Sequence, residues 1–497
     1  MTMPPLPELS PLEITQSTAP LDLRAAGKLD ALIVVMPAEG TLSKASQFPG
    51  REHIVRLRRH RKDDDILAFT DTGDRMLHVV AGFAKTGASS FERLTLARKL
   101  MAEARRFDPA TVGLHTVPAD DATIEALVAA AHAARFRLPQ IKQKAPSPAR
   151  LKRLRLFHPR KLNLARTEAA AAGNNLARWL TGLPANYLTP TQYRDLLEPL
   201  AKREGWQFEF LDEKALAKRG AGAFLAVTQG SSRRDAGIAH LRYQPTDSNG
   251  GPVLALVGKG ICFDTGGINI KSAKSMFGMH GDMQGSAVAL GTLLALSRLE
   301  VDFPVDAWLA IATNDIGPSA YRQNEVVTAL NGTTIEIVHT DAEGRMALSD
   351  TLALASQAKP ALLIDYATLT GTCVDALSTR YTGAVTNGDA LNEAVIAAGR
   401  ASGERVWPFP ADADFDAALK SDVADIKQCA VGSEADQIRA ARFLSRFVGD
   451  SVPWVHLDLS AGESKGGLAH VPTEVTGFGV RFTLELLGRQ SPFAGDQ

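Results

Sequence analysis

At 497 residues the chain exceeds what one ordinary hydrophobic core serves, so two or three domains are expected. Hydrophobic residues at 45% and charged residues at 22% exclude an intrinsically disordered chain. With 55 Lys+Arg against 55 Asp+Glu, no global field draws it to nucleic acid or an anionic membrane.

The chain opens on a Pro-rich lead, residues 1–20, in which "MTMPPLPELSPLEITQ" lacks the basic head and apolar run of a signal peptide. No apolar run approaches the ~18 residues of a membrane span. The three cysteines, Cys262, Cys373 and Cys429, give neither a close pair nor a metal spacing, and read as buried thiols in a reducing compartment. A cytoplasmic protein is expected.

"ALIVVMP" and "MLHVVAGF" then read as buried strands, and "SSFERLTLARKLMAEARRF" as a helix that a serine can cap. "TVGLHTV" reads as a further strand and "DATIEALVAAAHAARF" as a further helix. This alternation predicts a small α/β domain over residues 21–165. Its last part, residues 142–166, carries nine Lys/Arg, three prolines and no acid. A nucleic-acid arm is one reading, but the alternation in "LKRLRLF" favours an edge strand or a linker at the domain boundary.

From residue 166 to the end a longer α/β pattern resumes. "TEAAAAGNNLARWLTGL" is helical, "VLALVGKG" is a strand running into glycines, "SAVALGTLLALSRLE" is a helix and "VDAWLAIAT" a buried strand. "EVVTALNGTTIEIVH" reads as two strands joined by Asn331-Gly332, the dipeptide a type I′ hairpin prefers. Then come "HTDAEGR", the helix "RMALSDTLALASQ", the strand "ALLIDYATL", the helix "EADQIRAARFLSRFV" and the strand "WVHLDL".

Two stretches carry the chemistry. In "HTDAEGR", Asp341 and Glu343 point to one side if the backbone there stays extended, and crowded carboxylates repel unless a cation or proton separates them. In "VGKGICFDTGGINIKSAKSMFGMHGDMQG", Lys259, Asp264, Lys271 and Asp282 lie among glycines that let backbone approach a ligand. Asp282 precedes a helix whose N-terminal dipole favours a negative group. Phe263 stands where a dinucleotide fingerprint needs glycine, and no Walker loop, HExxH or GxSxG occurs. Four carboxylates near strand ends suit two hard or borderline divalent cations, with the lysines as ligand, polarising group or counter-ion. From spacing alone, helix caps and solvated turns stay an equal reading.

"GKGICFDTGGINIK" with Asp282 downstream, then "TDAEGR" and "DYATLTG", closely resembles the leucyl aminopeptidase family of dinuclear metallopeptidases, over residues 166–490. The fold this implies is α/β in two domains. A smaller N-terminal α/β domain precedes a larger catalytic one, residues 166–497, with a mixed central sheet flanked by helices. The resemblance implies that Lys259, Asp264, Asp282 and Glu343 hold a tighter metal, and Asp264, Asp341 and Glu343 a more exchangeable one. Zinc or manganese is expected, with magnesium or cobalt also accepted. Lys271 would stabilise the oxyanion, and Arg345 would position a bicarbonate acting as general base. Met279, Thr368 and Gly371 would line the first side-chain pocket, and the Leu369 carbonyl would hold the substrate amine. Such a pocket favours peptides beginning with Leu or Met, at ~1.5–3 kcal/mol for a buried side chain. Homohexameric assembly is implied as well.

Departures from the family pattern bear on specificity more than on catalysis. His339 stands where the family usually has Asn, His280 reads as a bystander, and "NDIGPSAYRQNEVV" and "SAGESKGGLAH" are looser matches. A DNA-binding role has only the basic stretch behind it, against zero net charge. A two-metal phosphoesterase is compatible with the metals but not with the motif.

Overall fold

The computed structural model describes residues 12–39, 48–61, 64–71, 76–144, 149–246, 251–490 and 492–493. It divides into two units, Pro5–Ala171 with Lys465–Glu474, and Ala172–Ser464 with Val475–Gln497. The division passes through the helix Ala165–Thr181. The lead expected over residues 1–20 lies outside the described residues as far as residue 11.

In the first unit the apolar runs form β1 (Glu13–Ser17), β2 (Ala31–Pro37), β3 (Ile66–Asp71), β4 (Leu77–Ala84), β5 (Thr111–Thr116) and β6 (Arg153–Phe157). They make one sheet in the order β1-β6-β5-β2-β4-β3, antiparallel only where β3 meets β4. Nearly every side chain of β2 and β4 is buried, which is why both read as continuous apolar runs. The helix Ser90–Ala104 begins with a capping box, in which Ser89 Oγ accepts from Glu92 N and the Glu92 carboxylate accepts from Ser89 N.

The edge-strand or linker reading of the basic stretch is corrected here. β6 is an interior strand with β1 on one side and β5 on the other, because the Pro-rich lead itself supplies β1. Leu154 and Leu156 are buried, and Arg153 pairs with Glu13 at 3.1 Å. The alternation therefore reports a strand with one apolar face.

The second unit carries β7 (Gln207–Asp212), β8 (Gly237–Tyr243), β9 (Leu254–Asp264), β10 (Val305–Asn314), β11 (Val326–Thr328), β12 (Thr334–Glu336), β13 (Leu362–Ala367), β14 (Thr382–Thr386), β15 (Val406–Pro408), β16 (Ile426–Lys427) and β17 (Trp454–Asp458). Eight form a mixed sheet in the order β15-β14-β17-β13-β9-β10-β8-β7. Its centre, β17-β13-β9-β10, is parallel, and antiparallel pairs flank it on both sides. β11, β12 and β16 form a separate small sheet. The fold is thus the expected α/β class with a mixed central sheet.

Strand β9 runs through the middle and is buried on both faces. Ala255, Val257 and Ile261 share a core with Met346, Leu348 and Leu352 of the helix Glu343–Ser356. The intervening residues Gly258 and Gly260 face Ser286 of the helix Gln284–Arg298. The two motif-bearing helices thus cover opposite faces of one strand. The Asn331-Gly332 hairpin forms, but not as the tight type I′ turn expected. Five residues link β11 to β12, and Gly332 takes φ 89° while Asn331 is not left-handed. Asn331 instead accepts from Thr333 N and donates to the Arg446 carbonyl, which holds the wider loop. Among the described residues no helix is long and apolar enough to cross a membrane.

Gly285 shows how tightly the helix sits. A Cβ there would lie 2.1 Å from the Tyr366 carbonyl oxygen and 2.9 Å from the Lys259 nitrogen, both backbone atoms. Gly285→Ala is therefore expected to cost about 1–3 kcal/mol through overpacking. Calorimetry should show a lower Tm, and an unchanged Tm would mean the helix can move off the sheet freely.

Candidate metal centre

Asp264 is the last residue of β9, and its neighbour in register on β10 is Asn314. Asn314 Nδ2 donates to Asp264 Oδ1 at 2.9 Å, and Gly266 N donates to the same oxygen at 2.8 Å. The other oxygen, Oδ2, lies 2.8 Å from Lys271 Nζ. Lys271 also reaches Asp341 Oδ1 at 2.5 Å, joining the two motifs by charge.

A polar weld around Thr340 joins them by backbone. Its Oγ1 donates to the Gly266 carbonyl at 2.6 Å and accepts from Asn269 N at 2.8 Å. Its carbonyl accepts from Asn314 Nδ2 at 3.0 Å and from Tyr321 OH at 2.8 Å. Thr340 is fully buried, so these groups would be costly to leave unpaired. The backbone between Asp341 and Glu343 is not extended as expected. Ala342 takes φ −106° and ψ 34°, and Glu343 starts the helix. Asp264, Asp341 and Glu343 nonetheless each offer an oxygen within 4.8 Å of the others.

On the other side, Lys259 is 3% exposed, so it is no surface charge. Its Nζ lies 2.8 Å from Asp282 Oδ1 and 2.9 Å from Glu343 Oε1, and donates to the Thr368 carbonyl at 3.0 Å. Thr368 Oγ1 donates to Asp282 Oδ1 at 2.7 Å. Burial, with Asp264 adding repulsion, pushes the Glu343 carboxyl up to about 8 against the pull of Lys259. Burial likewise raises Asp282 to about 6. For Lys259 burial acts downward, but Asp282, Glu343 and Asp264 outweigh it and hold the ammonium well above its ordinary value.

Four carboxylates face two ammonium groups here, and two buried oxygens, Asp282 Oδ2 and Glu343 Oε2, have no hydrogen-bond partner. Unpaired carboxylate oxygens beside an excess of negative charge fit hard or borderline divalent cations. Lys259 could join them as a ligand only where a cation replaces one of its protons.

All these groups line a cleft of about 670 Å³. Met279, Thr368, Leu369 and Gly371 line it too, as does the exposed His339, whose Nδ1 faces Asp341 N at 3.2 Å. His280 does not line it. Of the two looser loops, one supplies Tyr321 to the weld and the other places Ser460 and Glu463 in the cleft wall. Arg345 is buried, and its Nη2 donates to Asp436 Oδ2 at 2.8 Å while Nη1 donates to the Gln428 carbonyl at 3.3 Å.

Sequence reasoning missed several supports. Asn314 closes "VDAWLAIATN" beside the Asp264 strand end, and strand-end position could have flagged it. Asp458 accepts from Leu369 N at 3.1 Å and from Thr370 Oγ1 at 2.6 Å, which fixes the turn after β13. Gln428 and Asp436 carry no local signal, because they meet Arg345 only through the fold.

The raised carboxyls set a pH dependence. Glu343 binds its proton more tightly folded than unfolded, so in metal-free protein its contribution to stability is full below about 4.5 and is lost as pH rises through about 8. A divalent cation must displace that proton at low pH but not at high pH. Added manganese is thus expected to raise the Tm more at pH 8 than at pH 6. An equal or reversed increment in thermal melts would show that protons and cation do not compete here.

Comparison with known proteins bears on this geometry. Residues 175–484 match the sequence profile of the cytosol aminopeptidase family, catalytic domain. A probable cytosol aminopeptidase of Methylorubrum extorquens is 42% identical over 320 residues, 63% of this chain and 63% of that protein. That alignment spans a little under two thirds of the relative's length. The one from Parasynechococcus marenigrum is 38% identical over 412 residues, covering 81% of this chain and 84% of that protein. Among solved structures, the bottromycin maturation enzyme BotP in complex with Mn superposes with a TM-score of 0.79 at 30% identity, over 92% of this chain and 98% of that one. A tomato leucine aminopeptidase variant shares the fold with a TM-score of 0.87 at 24% identity, over 99% of each chain. The profile match spans more than half of the chain, and the chain belongs to the cytosol aminopeptidase family.

Proposed function

We propose that the chain is a metal-dependent aminopeptidase that releases N-terminal residues from peptides, with Leu and Met preferred. The observation that carries this reading is the convergence of Asp264, Asp341 and Glu343 within 4.8 Å, in a cleft that also holds Lys271 and Met279. Lys259, Asp264, Asp282 and Glu343 would hold the tighter ion, and Asp264, Asp341 and Glu343 the exchangeable one. Zinc or manganese suits the site best, with magnesium or cobalt accepted; a neighbour solved with Mn supports that choice. When bound, two such ions lower the pKa of a shared water and polarise the bond it attacks.

The chain's own groups do the rest. Asp282 and Leu369 line the cleft, and the Asp282 carboxylate with the Leu369 carbonyl would take the substrate's ammonium group. Lys271 keeps its proton, since Asp264 and Glu343 outweigh the burial that would remove it. Its ammonium would donate to the oxyanion as the carbonyl becomes tetrahedral, a contribution of about 3–4 kcal/mol for such a donor. Met279 and Gly371 would receive the first side chain. The bicarbonate that the resemblance assigns to Arg345 would share the guanidinium with Asp436 and the Gln428 carbonyl, which take one hydrogen bond on each terminal nitrogen, while Nε has no partner among the described residues. A homohexamer rests on the family resemblance alone. A cytoplasmic location is supported by the curated relatives' name, cytosol aminopeptidase.

Purified protein loaded with manganese or zinc is expected to release N-terminal Leu and Met from short peptides, and a chelator should stop it. Protein that binds no divalent ion and cleaves no peptide defeats the reading. Glu343→Ala should lose metal and activity together, while Lys271→Ala should keep its metal and lose mainly kcat. Equal metal loss in both would contradict the division of roles. Met279→Ala should lower kcat/KM for Leu peptides by about 1.5–3 kcal/mol, roughly 10- to 150-fold, with little change for Ala peptides. A uniform fall across both substrates would place Met279 outside the pocket.

A further inference from the structure

After β17 the chain runs along the cleft wall, where Leu459, Ser460 and Glu463 line it. Its backbone is held there. Gly462 N donates to the Leu459 carbonyl at 2.9 Å, and the Gly462 carbonyl accepts from Gln284 Nε2 and from Thr476 N, each at 2.9 Å. A Cβ on Gly462 would lie 2.1 Å from Gln284 Oε1, so this turn is pressed against the start of the helix Gln284–Arg298. The next residue, Glu463, forms an antiparallel bridge with Val475. Gly462 and Ser464 are buried while Glu463 is exposed, so its side chain points away from theirs, toward the cleft it lines. Glu463 Oε1 lies 3.2 Å from the point that a Cβ on Gly281 would occupy. Gly281 closes the short turn Met279–Gly281, and Asp282 follows it. The carboxylate therefore stands beside the segment that carries Met279, proposed to receive the first side chain, and Asp282, proposed to hold the substrate's ammonium group.

We infer that Glu463 gives the first side-chain pocket a charged end, and that N-terminal Arg and Lys are accepted alongside Leu and Met. This rests on the aminopeptidase reading and adds a substrate class to it. Arg and Lys carry apolar stems with a cation at the tip. Met279 would take the stem as it takes Leu, and the Glu463 carboxylate would accept hydrogen bonds from the guanidinium or ammonium group. A pocket walled by Met279 alone would strip water from that cation with nothing in exchange. An N-terminal Asp or Glu would meet Glu463 as a like charge and is disfavoured by the same group. A glutamate that only braced its turn would act on every substrate alike, and so would one that held the substrate's ammonium group.

The test uses full-length, metal-loaded enzyme and Xaa-Gly dipeptides beginning with Leu, Arg or citrulline, which keeps arginine's shape without its charge. Wild type should favour Arg over citrulline in kcat/KM by roughly 10-fold, the low end for a hydrogen bond to a charged group, since Glu463 is exposed. Added salt should shrink that ratio and leave Leu-Gly unchanged. Glu463→Gln should keep its metal and its Tm, bring Arg down to the level of citrulline, and leave Leu-Gly close to wild type. Equal rates for Arg and citrulline in wild type, or a fall in Glu463→Gln that Leu-Gly shares, would overturn the assignment. If that variant does not fold, the wild-type ratio and its salt dependence decide alone. A second arm needs no turnover: calorimetric titration of free arginine and free citrulline should show tighter binding of arginine to wild type and no difference in Glu463→Gln. If wild type cleaves no peptide at all, the aminopeptidase reading falls, and this arm still decides whether Glu463 takes a cation. Equal binding of the two amino acids to wild type would show that it does not.

Discussion

Carboxylates gathered in a space with little water repel one another, and the second unit is organised around that constraint. Asp264, Asp282, Asp341 and Glu343 share one cleft wall, and Lys259 and Lys271 are the groups that keep them together. Each lysine bridges one acid from the glycine-rich stretch and one from the "TDAEGR" stretch. Burial still drives Glu343 and Asp282 toward their protonated forms, so the two lysines do not complete the compensation. Protons can fill the deficit, and divalent cations can fill it with more charge in less space.

Rigidity makes such a site possible. Asp264 ends the most central strand of the sheet, and the acids meeting it come from the start of one covering helix and the approach to another. Nothing in a single helix or strand holds 264 against 341. Thr340 does so through hydrogen bonds to Gly266, Asn269, Asn314 and Tyr321, which come from two separate segments of chain. Gly285 and Gly344 permit the close approach, since side chains there would strike Lys259 or the strand backbone.

The same economy of charge appears around Arg345. A guanidinium buried in a cleft wall needs a counter-charge, which Asp436 supplies while the Gln428 carbonyl takes a second donor. Asp458, equally buried, ties down the turn carrying Leu369 and Thr370 through three hydrogen bonds.

Local pattern by itself determined most of the helices and strands, because a buried face repeats with the period of its own element. "VLALVGKG" and "RMALSDTLALASQ" are legible without any partner. The acids and lysines of the site were legible as a set, through family resemblance and the density of glycine and carboxylate. Wherever the answer depended on a second segment, the sequence was silent or misleading. β6 is interior only because β1 returns to pair with it, and the Asn331 turn is wide only because the Arg446 carbonyl holds it. Asp341 and Glu343 converge through a turn that Thr340 imposes, and Asp436 reaches Arg345 across 91 residues of chain. Periodicity records what a segment buries; which distant charge it meets is decided when the sheet closes, since electrostatic pairing acts through space and leaves no mark along the chain.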